Sequence, residues 1–403
     1  MQLDQLRIPG TSELERLVER SRLIGGDARL VVHGGGNTSS KIQEHDHLGR
    51  ERTVLRIKGS GTNLATIAAS GFPGLYLDEL LPLRERDAMT DEEMVAYLER
   101  CMVEPGAPRP SIETLLHAFI PARHVDHVHA DAICALTNSP EARRAIPEAL
   151  GEDVAVVSYI RPGFELSRRV AQLADHRAVV LAHHGLVTWG DTHEESYGLT
   201  LELVARAEAY LAERKSPSSP PAVPSLDGER LEELLVRLRG RLSRDGRRVL
   251  HTDPSQRELA DRDDVRSVAE AGRATPDHVL RIGARTLVAV EPEEVDAAVE
   301  DFEAESAAYF ERNRSRGEDG LEPRASLPSV ALVPGLGCVA AGDDARSARM
   351  NAEIALHSHG VAATVLDAFG RTEWLDEADI FDFDYWPLEL YKLTLAPPPP
   401  ELA

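Results

Sequence analysis

The chain reads HVDHVHADAI at residues 124–133, where His127 and His129 stand two positions apart among valines and small residues. Alternate residues of a β-strand point to the same face of a sheet, so a strand here would aim both imidazoles at one point. A strand can offer two ligands to a metal in this way. For the pair taken alone, a partly buried polar patch is the alternative.

A second segment supplies a third imidazole. Residues 179–190 read VVLAHHGLVTWG and predict a buried strand that ends in His183, His184 and Gly185. Three neutral ring nitrogens with an open fourth position are typical of a catalytic divalent ion, most often Zn²⁺, rather than of a closed structural site. The two segments together therefore predict a three-histidine metal site.

The composition restricts the class of protein. A length of 403 residues with 42% hydrophobic residues suggests two domains with sizeable cores. The 45 Lys and Arg residues against 68 Asp and Glu residues give a formal net charge of −23, which argues against a nucleic-acid or anionic-membrane partner. The three cysteines form no CxxC pair, and no signal peptide or membrane-spanning run is recognisable, so we expect a soluble cytoplasmic protein.

Periodicity and turn residues divide the chain into a first domain at 1–214, a Pro/Ser-rich linker at 215–228 and a second α/β domain at 229–403. Helices are predicted at 11–25, 90–104, 111–120, 191–214, 229–245, 257–272 and 293–313. Strands are predicted at 29–34, 53–59, 124–130, 154–158, 178–183, 286–290 and 329–333.

Two segments indicate a decayed internal repeat. GLVTWGDTHEES at 185–196 and GCVAAGDDARSA at 337–348 share Gly, Val, Gly and Asp at equal offsets, and each leads into a helical pattern. Chance similarity between two strand-turn-helix units is the alternative. Leu336 stands where the first copy has His184, so the second copy would lack that ligand, and His278 is the candidate secondary ligand there.

Two glycine-rich turns follow successive predicted strands. HGGGNTSS at 33–40 and KGSGTN at 58–63 combine glycines with amide and hydroxyl side chains, which lets backbone N–H groups approach an anion closely. Neither turn fits GxxxxGK[ST] or GxGxxG, so a nucleotide is not the first expectation. A pair of plain turns is the alternative to a pair of anion-binding loops.

The segment RPSIETLLH at 109–117 predicts a helix start, with Ser111 as a cap and Glu113 in the first turn. A first-turn carboxylate usually serves only to match the helix dipole. Near a metal-bound substrate it could instead abstract a proton from a carbon atom, because the metal polarises the adjacent carbonyl and makes that carbon more acidic.

In sequence order these motifs resemble the class II aldolase/adducin family. The resemblance spans about residues 20–214 and rests on GGGNTSS, KGSGTN, RPSIETLLHAFIP, HVDHVHADAI and HHGLVTWGDT. Further segments look most like the aldolase portion of bifunctional rhamnulose-1-phosphate aldolase/alcohol dehydrogenase proteins, namely GFPGLYLDELLPL, RPGF, ATPDHVLR, VPGLG and DIFDFDYWPLELYKL. The chain has no GxGxxG-led βαβ unit, so the dehydrogenase activity is not expected of it.

The resemblance implies a three-layer α/β/α domain with a central mixed, largely antiparallel sheet, plus a second smaller α/β region that is a candidate degenerate repeat. It also implies a homo-oligomer. By position, Zn²⁺ or another divalent metal would be bound by His127, His129 and His184, whereas His183 matches a variable position. Glu113 matches the family's acid/base residue.

The substrate contacts follow by the same resemblance. The positions that match phosphate-binding residues are Gly36, Asn37, Ser60, Gly61 and Ser111. Ile112 replaces a serine that the simple sugar-phosphate aldolases often have, which removes one phosphate hydroxyl. The family's proton-donating tyrosine cannot be placed by motif, and Tyr385 and Tyr391 are candidates for it.

The implied activity is cleavage of a ketose 1-phosphate, similar to rhamnulose 1-phosphate, into dihydroxyacetone phosphate and an aldehyde through a metal-stabilised enediolate. No lysine nucleophile is needed, and the partner is a small sugar phosphate or a related ketose. An epimerase or a decarboxylase using the same metal site is one alternative. A non-enzymatic adducin-like interaction protein is another, although the three histidines and Glu113 argue against it.

Overall fold

The computed structural model describes residues 6–216, 227–289, 291–318, 320–324 and 326–395. By its internal contacts the chain falls into a first unit, Met1–Thr137 with Glu141–Glu213, and a second unit, Asn138–Pro140 with Arg214–Ala403. Most of the predicted linker at 215–228 lies outside the described residues. Among the described helices, none has both the length and the hydrophobicity that crossing a lipid bilayer demands.

The first unit contains both strands and helices. Its strands are β1 Asn37–His45, β2 Glu51–Ile57, β3 Gly74–Tyr76, β4 His124–Val128, β5 Val154–Val157, β6 Ala178–Leu181 and β7 Gly185–Gly190. Its helices are α1 Glu13–Gly26, α2 Leu77–Leu80, α3 Asp91–Arg100, α4 Thr114–Phe119, α5 Asp131–Thr137, α6 Ala142–Leu150, α7 Phe164–Ala171 and α8 His193–Ala212.

One seven-stranded sheet organises this unit, in the order β3-β2-β1-β4-β7-β6-β5. Only β5 and β6 pair in parallel, and the other neighbours are antiparallel. Helices α4 and α7 pack on the face that carries Val125 and Val187. Helices α1 and α8 cover the other face, where Asp126 contacts Arg20 and Ser196. The predicted three-layer fold with a mixed, largely antiparallel sheet is confirmed.

The predicted strand at 29–34 is wrong. The backbone turns there, because the N–H groups of Leu30 and Val31 both donate to the carbonyl oxygen of Asp27. The two apolar side chains are buried from this turn rather than from a strand. The glycines at 34–36 therefore precede β1 instead of following a strand, and β1 itself is the polar segment NTSSKIQEH.

The second unit is a smaller α/β structure. Its strands are β8 Val249–Asp253, β9 Leu287–Val288, β10 Val330–Val333 and β11 Gly337–Gly342. Its helices are α9 Gly228–Leu242, α10 Arg257–Ala260, α11 Val265–Glu270, α12 Pro276–Ile282, α13 Val295–Asn313, α14 Ala345–Phe369, α15 Glu377–Asp384 and α16 Pro387–Thr394. The single helix predicted at 257–272 is thus two short helices, and β8 was not predicted because its sequence VLHTD is short and only half-buried.

The second unit repeats part of the first unit's topology. Its sheet order, β8-β11-β10-β9, matches β4-β7-β6-β5 in both sequence order and strand direction. The second strand of each central hairpin begins at a glycine, Gly185 in β7 and Gly337 in β11. Each connecting turn also contains one residue with positive φ two positions earlier, His183 at 55° and Gly335 at 81°. The two hairpins therefore have the same register.

Candidate metal centre and its carboxylate

Three imidazoles converge at one point of the first unit. His127 lies on β4 and His129 just beyond its end, and the alternation of the strand places both on the same face. His184 closes the turn between β6 and β7. The ring centroids of the three are 4.7–4.9 Å apart, and one ring nitrogen of each lies within 4.8 Å of the other two. All three side chains are buried.

Two glycines allow the backbone to approach this cluster. A Cβ atom on Gly185 would lie 2.3 Å from the carbonyl oxygen of Val128 and 3.2 Å from Nε2 of His127. A Cβ atom on Gly36, whose φ is +61°, would lie 2.7 Å from the carbonyl oxygen of His127. A larger residue at either position would push the β4 backbone or the histidine rings aside.

Glu113 lies at the residue immediately before α4, not inside its first turn as predicted. The chain turns at 112–113 before the helix begins, and the Glu113 N–H donates to Oγ of Ser111 at 3.2 Å. The Glu113 side chain points to the histidines. Its Oε2 lies 2.8 Å from Nδ1 of His127 and accepts from Nδ2 of Asn37 at 2.5 Å.

The contact with Glu113 sets the state of the His127 ring. Nδ1 of a neutral His127 donates to the carboxylate, so the lone pair is left on Nε2. This Nε2 atom is buried and has no hydrogen-bond partner among the described residues. A buried nitrogen lone pair beside two further imidazoles fits a divalent metal, and three such donors suit Zn²⁺.

Glu113 is also the charged group of the site. Burial raises the pKa of the Glu113 carboxyl, but the imidazoles of His127 and His184 and the hydrogen bond from Asn37 outweigh burial and hold that pKa well below its usual range. Glu113 is therefore a carboxylate at neutral pH. This is the form that can accept a proton.

The glycine-rich segments meet beside Glu113. Nζ of Lys58 donates to the carbonyl oxygens of Gly34 and Gly36, each at 2.9 Å, and so joins the loop before β1 to the end of β2. The sequence analysis did not single out Lys58. Its signal is the lysine that opens KGSGTN, but its role depends on a contact with residues more than twenty positions earlier.

The segment before α4 completes this arrangement. The Ser60 N–H donates to the carbonyl oxygen of Arg109 at 2.8 Å, and the Ser111 N–H donates to that of Lys58 at 3.2 Å. Nδ2 of Asn37 lies 3.4 Å from Oγ of Ser111. The predicted phosphate-binding positions therefore lie on three adjoining segments that end at Glu113.

A second convergent group, Glu13, His124 and His193, lies on the opposite face of β4. Here Nη1 of Arg20 donates to Nδ1 of His193 at 2.9 Å, so the ring proton of His193 is on Nε2. That Nε2–H group faces Oε2 of Glu13 at 3.5 Å. The arrangement is a buried ion-paired network, in which His193 has no lone pair directed at a metal.

The second unit carries other residues at the positions that match the three histidines. Thr252 pairs with Val339, as His127 pairs with Val187. The matching residues are Thr252, Pro254 and Leu336. In the described part of the chain, His278 belongs to neither convergent group of possible metal ligands.

The two candidate tyrosines both belong to the second unit. The Tyr385 hydroxyl accepts a hydrogen bond from the backbone N–H of Arg324 at 3.1 Å. Its ring stacks on that of Phe381, with the two ring centroids 4.4 Å apart. Tyr391 lies on α16.

Comparison with known proteins identifies the family. Residues 15–211 match the class II aldolase and adducin N-terminal domain, and residues 229–393 match the second domain of class II aldolases. The chain belongs to the class II aldolase family. The family assignment covers both units.

Individual members of the class II aldolase family differ in how much of this chain they cover. A Bacillus subtilis protein named uncharacterized oxidoreductase YuxG is 38% identical over 414 residues, which are 97% of this chain and 59% of that protein. The chain thus spans about three-fifths of this relative. A Rhodospirillum rubrum 5-methylthioribulose-1-phosphate/5-deoxyribulose-1-phosphate aldolase is 28% identical over 177 residues, covering 40% of this chain and 76% of its own.

Among solved structures, the N-terminal class II aldolase domain of a conserved Thermoplasma acidophilum protein is 46% identical. It covers 52% of this chain and 99% of its own, with a TM-score of 0.49.

Proposed function

We propose that the chain is a metal-dependent aldolase that cleaves a ketose 1-phosphate into dihydroxyacetone phosphate and an aldehyde. The observation that carries the proposal is the Glu113 carboxyl group held against His127 beside two further convergent imidazoles. Membership of the class II aldolase family supports it. The Rhodospirillum relative, whose name describes an aldolase for ketose 1-phosphates, points to the same substrate class.

In this proposal His127, His129 and His184 hold a divalent ion, with Zn²⁺ as the first candidate. When bound, the ion would supply Lewis-acid polarisation of the substrate's carbonyl group. The protein's own contribution is to fix the rings. Oε2 of Glu113 sets the His127 tautomer, and Gly185 leaves room for the rings to approach.

Glu113 handles the proton at the reacting carbon. Cleavage between C3 and C4 releases the C4 hydroxyl proton and leaves C3 to be protonated. Oε2 of Glu113 is engaged by His127 and Asn37, whereas Oε1 is buried and has no hydrogen-bond partner in the described part of the chain. Oε1 is therefore the atom proposed to take up the proton that the C4 hydroxyl releases and to pass it to C3. In the synthetic direction it would carry the proton from C3 to the C4 oxygen.

The phosphate group would bind where the three loop segments adjoin. Gly36 and Gly61 both have positive φ, and backbone N–H groups near such glycines can point into one anion-binding concavity. Asn37, Ser60 and Ser111 add polar side chains. These groups supply the local attraction that an anionic substrate needs in a protein of net charge −23.

The test is a panel of substrates with the purified, metal-loaded protein. The panel contains rhamnulose, fuculose and 5-deoxyribulose 1-phosphates, each beside its unphosphorylated ketose, and release of dihydroxyacetone phosphate is followed by a coupled reduction. We expect release from at least one phosphorylated member and a strong preference over its unphosphorylated form. Epimerised sugar or released carbon dioxide instead would reassign the site to an epimerase or a decarboxylase.

The proposed enzyme is a homo-oligomer, as the family resemblance implies. Light scattering coupled to size-exclusion chromatography measures this directly, and a mass equal to that of a single 44.1 kDa chain would contradict it.

A further inference from the structure

A cavity of about 890 Å³ lies within the second unit. Its wall combines arginines with aromatic rings, among them Arg281, Arg285, Phe302, Tyr309, Trp374 and Tyr385. This volume is in the usual range for small-molecule sites, which are mostly apolar and contain a few well-placed polar groups.

The cavity is separate from any remnant of the histidine site. It includes Ser329 and Ala341, which lie where β10 begins and where β11 nears its end. Leu336, which matches His184, is in the turn at the opposite end of the same hairpin. The cavity is therefore not the second unit's version of the metal centre.

Two buried donors in the cavity wall lack partners. Nε1 of Trp374 and the hydroxyl of Tyr309 are both buried and form no hydrogen bond with any described residue. Burial raises the pKa of Tyr309, so it stays a hydroxyl that can donate. An unsatisfied buried donor is uncommon in a native protein and is often explained by a ligand or water.

The carboxylates that line the cavity are paired more completely than its arginines. The lining carboxylates Glu303, Glu305, Glu377 and Asp384 each have an arginine partner, and Glu270 is exposed. Arg281 is partly buried, and burial lowers the pKa of its guanidinium although the charges of Asp277 and Glu389 act to raise it. The guanidinium of Arg285 lies 5.2 Å from the ring centroid of Phe302. A partly buried cation that its neighbouring carboxylates do not fully compensate is unfavourable, and a further anion in the cavity would stabilise it.

We propose that this cavity binds a small organic anion that carries a planar ring. Arg281 would pair with the acidic group, a carboxylate or a phosphate, while Trp374 and Tyr309 donate hydrogen bonds to it or to a polar ring substituent. The ring would lie against Phe302 and Trp374. This site does not depend on the function proposed for the first unit.

Calorimetric titration of the full metal-loaded chain tests the proposal with four probes. Benzoate and phenyl phosphate carry both a ring and an anion, inorganic phosphate lacks the ring, and benzyl alcohol lacks the charge. At least one of the first two should bind saturably and more tightly than the other two probes, and the tighter one identifies the acidic group.

Two variants and a control locate the binding. Arg281→Met should weaken the better probe by about tenfold or more, and Trp374→Phe, which keeps a ring but removes the N–H, should weaken it less. Arg239→Met removes an exposed arginine on α9 and should change nothing. If Arg281→Met fails to fold, Trp374→Phe decides.

Several results would overturn the proposal. These are no saturable binding of either ring anion at about 10 mM, a weak range for ligands of this size, unchanged affinity in both variants, and equal affinity for benzyl alcohol. Equal binding of inorganic phosphate and phenyl phosphate would remove the role of the ring.

Discussion

The hairpins β6–β7 and β10–β11 differ mainly in what their turns carry. They share register, a residue with positive φ in the turn and a capped helix that follows the second strand. The first turn presents His184 to the other histidines, and the second has Leu336 at the matching position. The same framework is thus built with and without metal ligands, so the histidines are not needed to form it.

The two units also differ in what surrounds the shared strands. In the first unit β1 lies beside β4 and β2 lies beside β1, and these two strands bring Asn37 and Lys58 to the site. The four-stranded sheet of the second unit ends at β8, with no described strand at the place of β1. We propose that the second unit is a degenerate repeat that kept the framework but lacks the ligands and the loops.

Exchanging the two turn residues tests this comparison most strongly. His184→Leu should reduce bound zinc from about one ion per chain to almost none, because two imidazoles hold zinc poorly, and should abolish activity while the fold remains. Leu336→His should add no zinc, because Thr252 and Pro254 supply no further ligand. Metal analysis and circular dichroism of both variants measure this. Full zinc occupancy in His184→Leu would contradict the assignment.

Glu113→Gln should keep the metal but lose bond cleavage. The amide is close in shape to the carboxyl and can still accept from Asn37, yet it cannot take up a proton near neutral pH. We expect kcat to fall by roughly 10²–10⁴. Glu99→Gln, an exposed change on α3, is the matched control and should leave kcat unaltered. Retention of more than about half the wild-type rate by Glu113→Gln would return Glu113 to a dipole-matching role.

Matched glycine variants separate framework from site. A Cβ on Gly185 would lie 2.3 Å from the Val128 oxygen, and one on Gly337 would lie 2.4 Å from the Asp253 oxygen. Each change to Ala should therefore destabilise its unit by about 1–3 kcal/mol. Only Gly185→Ala should also weaken zinc binding, because its Cβ would lie 3.2 Å from His127 Nε2. Zinc competition measures the change in zinc affinity, and thermal unfolding measures the change in stability. Equal zinc affinities of Gly185→Ala and Gly337→Ala would argue against the three histidines as the metal site.

The helix caps give the smallest expected effect. Thr192 and Asp344 each accept a backbone N–H at the start of α8 and α14, and Thr192→Ala should cost about 1 kcal/mol of stability. Asp344→Ala should also destabilise, but with a pH dependence that Thr192→Ala lacks.

That dependence follows from the carboxylate. The hydrogen bond from the Ser347 N–H lowers the pKa of Asp344 from its ordinary 3.8. Its contribution is therefore present above that value and is lost as the pH falls through the folded-state pKa. Hydrogen exchange of α14 at pH 7 and at acidic pH measures it. A deficit in Asp344→Ala that is the same at both pH values would contradict this assignment.

The periodicity of the sequence was enough to predict some of the strands and helices. The alternation in HVDHVHA placed His127 and His129 on one face, and the long periodic segments predicted α1, α8 and α13. The motif set predicted the family and, through it, the layered fold.

The remaining features depend on contacts between distant segments. Polar β1 is buried because Ser39 and Ser40 bond to His117 and His124, about eighty residues later. The apolar residues at 30–31, which suggested a strand, are held in a turn by Asp27. The role of Lys58 and the cavity of the second unit also depend on tertiary packing. No short sequence motif therefore predicts them.

Proton exchange into dihydroxyacetone phosphate tests the proposed metal-dependent role of Glu113, because this product is common to every candidate ketose 1-phosphate. The metal-loaded protein is incubated with it in D₂O, and deuterium at its hydroxymethyl carbon is followed by NMR. The proposal predicts exchange of one of the two protons, lost on chelation of the metal and in Glu113→Gln but retained in Glu99→Gln. Absence of exchange in the fully metal-loaded wild-type protein would contradict it.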